Sequence, residues 1–244
     1  MKVLLIFINL ILLFSCQRNT KNKIVEYYQN GNKKIEYHLD ENGTGEVYKY
    51  YENGIIKSKS IKKNNKLNGE FTYFYPNGKL KFKRNYVHGV ENGQYVKYFL
   101  NNSIKFKFDV QNGKIDGQWV HYDSLTGIVE LIENYKEDKR EGELLRYNSK
   151  GNLYEKSYFK NDNINGKSYI YTYDGKIRLL ANYEDGTANK YLFFNESGIL
   201  KEYKGVNKLL SFSDSILLDS LNYNPDWKSQ IKSMKESEGN FTHN

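Results

Sequence analysis

One spacing limits what this chain can fold into more than any other feature. A glycine recurs at Gly45, Gly69, Gly93, Gly117, Gly142 and Gly166, with Asn189 in the seventh place, at intervals of 24, 24, 24, 25, 24 and 23 residues. A fixed period of that size marks a stacked array, in which each unit is one supersecondary element that buries its apolar face only against its neighbours.

Each unit has the same internal order. Five residues after the opening position stands an aromatic: Tyr50, Phe74, Tyr98, Tyr122, Tyr147, Tyr171 and Phe194. A second marker follows at Gly54, Gly78, Asn102, Gly127, Gly151, Gly175 and Gly198, and two residues beyond it the side chain is always aliphatic: Ile56, Leu80, Ile104, Val129, Leu153, Ile177 and Leu200. Short aromatic and β-branched runs broken by Asn-Gly, Asp-Gly or Ser-Gly are β-hairpins, and the turn spacing leaves no room for helices.

The unit from Gly69 to Asn92 sets the register. A two-residue turn at Asn77-Gly78 would put Phe74 opposite Lys81 and Thr72 opposite Lys83, mixing rings and charges on both faces. A three-residue loop, with Pro76 and Asn77 as the centre of a type I turn and Gly78 in the left-handed region as a bulge, puts Phe74 opposite Leu80 and Thr72 opposite Phe82. Pro76 has the φ that the first central position needs, and Asn102 is the non-glycine residue that best tolerates the left-handed region. On this reading the aromatic and aliphatic columns make one apolar, structural face.

Met1 to Cys16 is a targeting segment. Lys2 is followed by an apolar core from Val3 to Phe14, interrupted at Asn9, and then by Leu13-Phe14-Ser15-Cys16. The core is too short to span a bilayer as a helix and has the form of a secretory h-region. The tetrapeptide resembles the lipobox of bacterial lipoproteins, although Phe14 is bulkier than the residue usual there. That resemblance implies lipidation of Cys16, the one cysteine of the chain, and anchoring in the outer membrane, since Gln17 rather than Asp follows it. An ordinary signal peptide or an uncleaved anchor is the alternative. The expected organisation is a signal peptide over 1–15, a tether over 16–23, a repeat array over 24–205 opened by a degenerate capping unit, and a capping segment with a polar tail over 206–244.

The repeats resemble the MORN repeat variant family, whose bacterial members are often described as toxin–antitoxin antitoxins. The resemblance lies in Gly-Glu-Phe-Thr-Tyr-Phe-Tyr-Pro-Asn-Gly-Lys-Leu at 69–80, Gly-Gln-Trp-Val-His-Tyr at 117–122 and Gly-Glu-Leu-Leu-Arg-Tyr-Asn-Ser-Lys-Gly-Asn-Leu at 142–153. It implies a ladder of hairpins used for binding or scaffolding, with no catalytic residues to carry over. The expected fold class is therefore all-β: an elongated single-layer antiparallel sheet of tandem hairpins, with a short C-terminal helical segment.

Charge supplies a candidate binding surface. The chain has 37 Lys and Arg against 29 Asp and Glu, a net charge of +8, and 23 tyrosines. On the face turned away from the aromatic and aliphatic columns, the first units carry Lys49, Lys57, Lys59, Tyr73, Lys81, Lys83, Tyr95, Lys97, Lys105, Lys107 and Trp119, alongside Phe71 and His121. Cations alternating in strand register with rings between them suit an anionic or sugar-bearing ligand. The same lysines would also keep a long sheet soluble and discourage edge pairing. Further on, Leu144, Tyr154, Ile170, Leu180 and Phe193 make this face apolar. A cover is expected from Ser211 to Met234, where Asn224-Pro225-Asp226 opens a short helix bearing Trp227, Ile231 and Met234.

No catalytic pattern emerges. The four histidines are scattered and lack a cysteine partner, no glycine-rich phosphate loop is present, and no metal or cofactor is expected. The expected function is a non-enzymatic, lipid-anchored binding or scaffold protein, with a protein or a polysaccharide as partner and export separating it from nucleic acid. The alternative is an antitoxin or immunity-type inhibitor that occludes a toxin.

Overall fold

The computed structural model describes residues 22–194 and 200–204. The leader with Cys16, and the C-terminal segment from 206 on with its expected helix, lie outside the described residues. Within them every helix or strand is a strand, and all eighteen belong to one antiparallel sheet. The hairpin β1 (Asn22–Tyr27) and β2 (Lys33–Leu39) is the opening unit, with Gly31 at φ 84° in its turn. Three hairpins follow: β3 (Gly45–Tyr50) with β4 (Ile56–Lys63), β5 (Lys66–Phe74) with β6 (Leu80–Val87), and, after the short β7 (Val90–Glu91), β8 (Gly93–Tyr98) with β9 (Ile104–Gln111). Next come β10 (Lys114–Tyr122) with β11 (Val129–Lys136), then β12 (Lys139–Tyr147) with β13 (Leu153–Lys160). After the short β14 (Asn163–Ile164) come β15 (Gly166–Tyr171) with β16 (Ile177–Glu184) and β17 (Thr187–Phe194) with β18 (Leu200–Lys204). Pairing runs in chain order, so each hairpin packs on the one made just before it.

Turn chemistry fixes the two edges. At one edge Tyr75 N–H donates to Lys79 O and Gly78 N–H to Tyr75 O, closing the expected three-residue loop with Gly78 at φ 80°. The asparagine before the left-handed residue acts twice. Asn53 Oδ1 accepts from Ile55 N–H in its own turn while its amide donates to Pro76 O of the next, and Asn101 does the same with Ser103 N–H and Ser124 O. At the other edge, pairs such as Asn64-Asn65, Asn112-Gly113, Glu137-Asp138 and Asn161-Asp162 have positive φ at both residues, the signature of two-residue type I′ turns. Asp138 and Asp162 tolerate that region because each carboxylate accepts a backbone N–H, from Ile115 at 2.8 Å and from Arg140 at 2.9 Å.

The seven expected column pairs all form, from Tyr50 opposite Ile56 to Phe194 opposite Leu200. Directly inside them the register departs from expectation. Tyr73 lies opposite Phe82 and Thr72 opposite Lys83, where the sequence reading puts Thr72 opposite Phe82. The cause is a β-bulge: Lys81 has no opposite residue, and the same one-residue slip leaves out Lys34, Lys57, Lys105, Glu130, Tyr154 and Arg178 in the other units through β16, while β17 and β18 pair without it. One extra residue exchanges the faces for everything beyond it.

The buried layer is therefore on the face that the sequence reading left open. A row of paired residues crosses the sheet through Val47, Ser60, Phe71 and Arg84. It continues through Tyr95, Phe108, Trp119, Glu133, Leu144 and Ser157, and then Ser168 and Ala181; every one of these is buried. Phe82, in the adjacent row, is 0% exposed. Strands stand about 4.8 Å apart, so flat rings in neighbouring strands cover one another's faces. Tyr73 stacks on Phe82 at 5.0 Å, Phe82 on Tyr95 at 5.6 Å, Tyr95 on Phe108 at 4.6 Å, and Phe108 meets Trp119 at 4.5 Å. The Arg84 guanidinium lies 4.8 Å from the centre of the Phe82 ring. By contrast the column expected to be structural is partly open, with Ile56 37% and Ile177 39% exposed. The apolar set expected on one face of the later units divides: Leu144 and Ile170 are buried on the ring-bearing face, Leu180 is on the opposite face beside Tyr169, and Tyr154 is a bulged residue.

Candidate binding surface

The register separates the expected surface residues into three groups. Tyr95 and Trp119 are part of the buried ring ladder, at 4% and 5% exposure. Tyr73 adjoins them, half-buried against Phe82. Lys59, Lys83 and Lys107 occupy the opposite face, in one row with Tyr48, Thr72, Val96 and Val120. There Lys59 pairs with Glu46 at 3.1 Å, Lys83 with Glu70 at 3.2 Å, and Lys107 lies over the Tyr122 ring.

Lys49, Lys57, Lys81, Lys97 and Lys105 are brought together on the ring-bearing face. Lys49 and Lys97 lie in the row of Ser58, Tyr73, Phe82 and Phe106, and Lys97 stands 5.7 Å over the Phe106 ring. Burial, with the nearby charges of Lys57 and Lys62, pulls the Lys49 ammonium below the usual lysine range. The bulged lysines sit at the turn edge, each above a ring: Lys57 over Tyr51 at 5.6 Å, Lys81 between Tyr75 at 5.7 Å and Tyr73 at 5.3 Å, and Lys105 over Phe99 at 5.6 Å. Tyr51, Tyr75 and Phe99 were missed in the sequence reading, although a fixed six-residue offset from ring to lysine marks them.

Other charged groups on the sheet are structural. Glu36 accepts from Lys23, Lys33 and the Tyr50 hydroxyl, which together hold its carboxyl well below the usual range and tie the opening unit to the next. His121, stacked on Trp119 at 5.4 Å, is kept neutral by burial and then by the charges of Lys105 and Arg146, with its pKa lowered to about 4. Burial raises the Glu155 carboxyl, opposed by Arg146 and by the Ser157 hydroxyl. Among the described residues no three of His, Cys, Asp and Glu gather as a metal site would require.

The MORN repeat variant model matches at residues 43–61, 67–88 and 140–161, which are the hairpins β3–β4, β5–β6 and β12–β13 with their bulges and turns. The chain carries MORN-variant repeats. The hairpins between and beyond the matched ones, through β16, keep the same column pairs and bulge positions. No curated protein matches the chain. Similar solved structures include the GtfA/B complex, at 16% identity and a TM-score of 0.24 over 59% of this chain and 20% of that one. The TcdB2-TccC3-Cdc42 complex is 13% identical, with a TM-score of 0.21 over 73% of this chain and 12% of that one. Virginiamycin B lyase from Staphylococcus aureus is 10% identical, with a TM-score of 0.17 over 79% and 87%. The chain thus spans about a fifth of the first of these.

Proposed function

We propose that this MORN-variant protein is a non-enzymatic binding scaffold, exported and held at the outer membrane by lipidated Cys16, with its sheet presented to a partner in the cell envelope. The observation that carries the binding role is repetition on one sheet: three consecutive hairpins place a lysine over an aromatic ring at the same edge. A surface built of identical, evenly spaced groups suits an extended partner that contacts several repeats at once, since each contact after the first is made at high effective concentration. The anchoring role is supported by the short h-region and the lipobox-like Leu13-Phe14-Ser15-Cys16.

Fractionation of cells producing the full-length chain tests the anchor. Cys16→Ser is expected to move the protein from the membrane to the soluble fraction, and metabolic labelling with a lipid precursor to disappear with it. A mutant that stays membrane-bound and unlabelled, at the same size as the parent, would place the attachment in the leader itself.

A further inference from the structure

The ring and lysine at the turn edge follow a strict rule. Tyr28 and Lys34, Tyr51 and Lys57, Tyr75 and Lys81, and Phe99 and Lys105 are each six residues apart, in four successive units. The β-bulge explains the offset. It inserts the lysine without an opposite residue, and from there the side chain reaches back across the hairpin to the ring that begins the turn. In the next three units both partners change together: Asp123, Asn148 and Thr172 replace the ring, and Glu130, Tyr154 and Arg178 fill the bulge. Two of the rings are themselves fixed, since Tyr28 Oη donates to Tyr50 O at 2.8 Å and Tyr51 Oη to Phe74 O at 2.7 Å.

Units are two strands apart, so these cations recur at intervals of about 9 to 10 Å across the sheet. Duplex nucleic acid carries a charge every ~1.7 Å along its axis, far more densely than this row. A fluid lipid surface has no interval to match. A polysaccharide with one acidic group per disaccharide has charges at close to the spacing of the lysines, and its stiffness lets several pair at once.

We propose that the edge bearing Lys57, Lys81 and Lys105 binds an anionic polysaccharide lying across the strands, with one acidic group at each repeat. The cations are held over rings, so little side-chain freedom is lost when a carboxylate or phosphate joins them. This deepens the scaffold reading and rests on it for the ligand's location in the envelope.

The test uses the full-length protein and hyaluronate oligosaccharides, which carry one carboxylate per disaccharide, in titration calorimetry at low and high salt. Affinity is expected to rise at least tenfold between a disaccharide and an oligosaccharide long enough to span three repeats, and to fall with salt. The variant Lys57→Gln/Lys81→Gln/Lys105→Gln is expected to lose at least tenfold. The control Lys59→Gln/Lys83→Gln/Lys107→Gln removes equal charge from the opposite face and is expected to lose less than twofold, with both variants checked for an unchanged circular dichroism spectrum. Equal losses in the two variants, no dependence on oligosaccharide length, or tighter binding to phosphatidylglycerol vesicles or to a single-stranded oligonucleotide would each overturn the proposal. None of these results bears on whether Cys16 anchors the chain, which the fractionation decides separately.

Discussion

Replacing Phe82 by alanine tests which face of the sheet holds it together. Phe82 is 0% exposed and lies against Tyr73 at 5.0 Å, Tyr95 at 5.6 Å and Phe71 at 6.1 Å, with the three interplanar angles between 4° and 16°. Truncating a fully buried phenylalanine costs about 3–5 kcal/mol, and each stacked pair contributes about 0.5–1.5 kcal/mol beyond its area. The neighbouring rings are held in register by backbone pairing on both sides and cannot slide together, so a loss near the upper end, about 4–5 kcal/mol, is expected. Leu80, two residues away, belongs to the column opposite Phe74 and is only half-buried; Leu80→Ala should cost about 1–2 kcal/mol, since much of its apolar surface already meets water. Hydrogen exchange read strand by strand is the assay, because a repeat array need not unfold in one step. Phe82→Ala should strip protection from β5, β6 and β8 while leaving β15 and β16 near their parental rates. If Leu80→Ala costs as much as Phe82→Ala, the buried layer lies on the column side and the bulged register is wrong.

Two further outcomes follow from the backbone and from the half-buried histidine. Gly45→Ala should be far more damaging than Gly166→Ala: at Gly45 an added Cβ would stand 1.9 Å from His38 O, whereas at Gly166, also at positive φ, it meets nothing within 4 Å, so a thermal melt should separate the two by several degrees. For His121 the folded chain binds a proton only near pH 4, while the unfolded chain binds it near its ordinary pKa of about 6.5, so the unfolded state takes up more protons between these values. Stability should therefore fall as pH drops from about 6.5 to about 4, by at most about 3 kcal/mol. Glu155, raised by burial, works in the opposite sense, so the slope belonging to His121 is the difference between denaturant titrations of the parent and of His121→Phe.

Much of the fold was legible because turns leave strong marks. The glycine and asparagine markers, the flanking rings and the aliphatic partners have few conformations that satisfy them all, and the seven column pairs follow. The second bulge, at Lys81, was not legible. A slip of one residue at Lys81 leaves the Pro76-Asn77-Gly78 turn and the Phe74–Leu80 pair intact, so turn chemistry fits a bulged and an unbulged hairpin equally. Side-chain size held a clue: Phe71, Phe82, Tyr95, Phe106, Phe108 and Trp119 are too much apolar surface to leave in water, and their crowding on one face favours that face as the buried one. The lysines were divided wrongly for the same reason, since Lys57 and Lys59 alternate in sequence as if on one face while the bulge separates them.

The repeat from Gly117 to Gly142 is one residue longer than its neighbours, and the surplus is absorbed in the turn Asp123-Ser124-Leu125-Thr126-Gly127. There Asp123 Oδ1 gathers the N–H groups of Leu125 and Thr126, Leu125 projects 91% exposed, and Tyr122 still meets Val129 with no change of phase downstream. The first connection at the opposite edge, Asp40 to Thr44, is a longer loop closed by Asp40 N–H to Thr44 O, but the six that follow it, from Asn64-Asn65 to Asp185-Gly186, all keep the same two-residue length, and in each the second residue donates its N–H to a carbonyl of the turn region before it. From β4 onward the sheet thus has a permissive margin and a strict one. Extra sequence such as a grafted epitope or a cleavage site should be tolerated at Leu125, whereas one residue added at Asn112-Gly113 would break the hydrogen bond from Gly113 to Glu91 and disturb the seating of the next hairpin. Divergent copies of this architecture should accordingly vary in length, from β4 onward, along the border that holds Leu125.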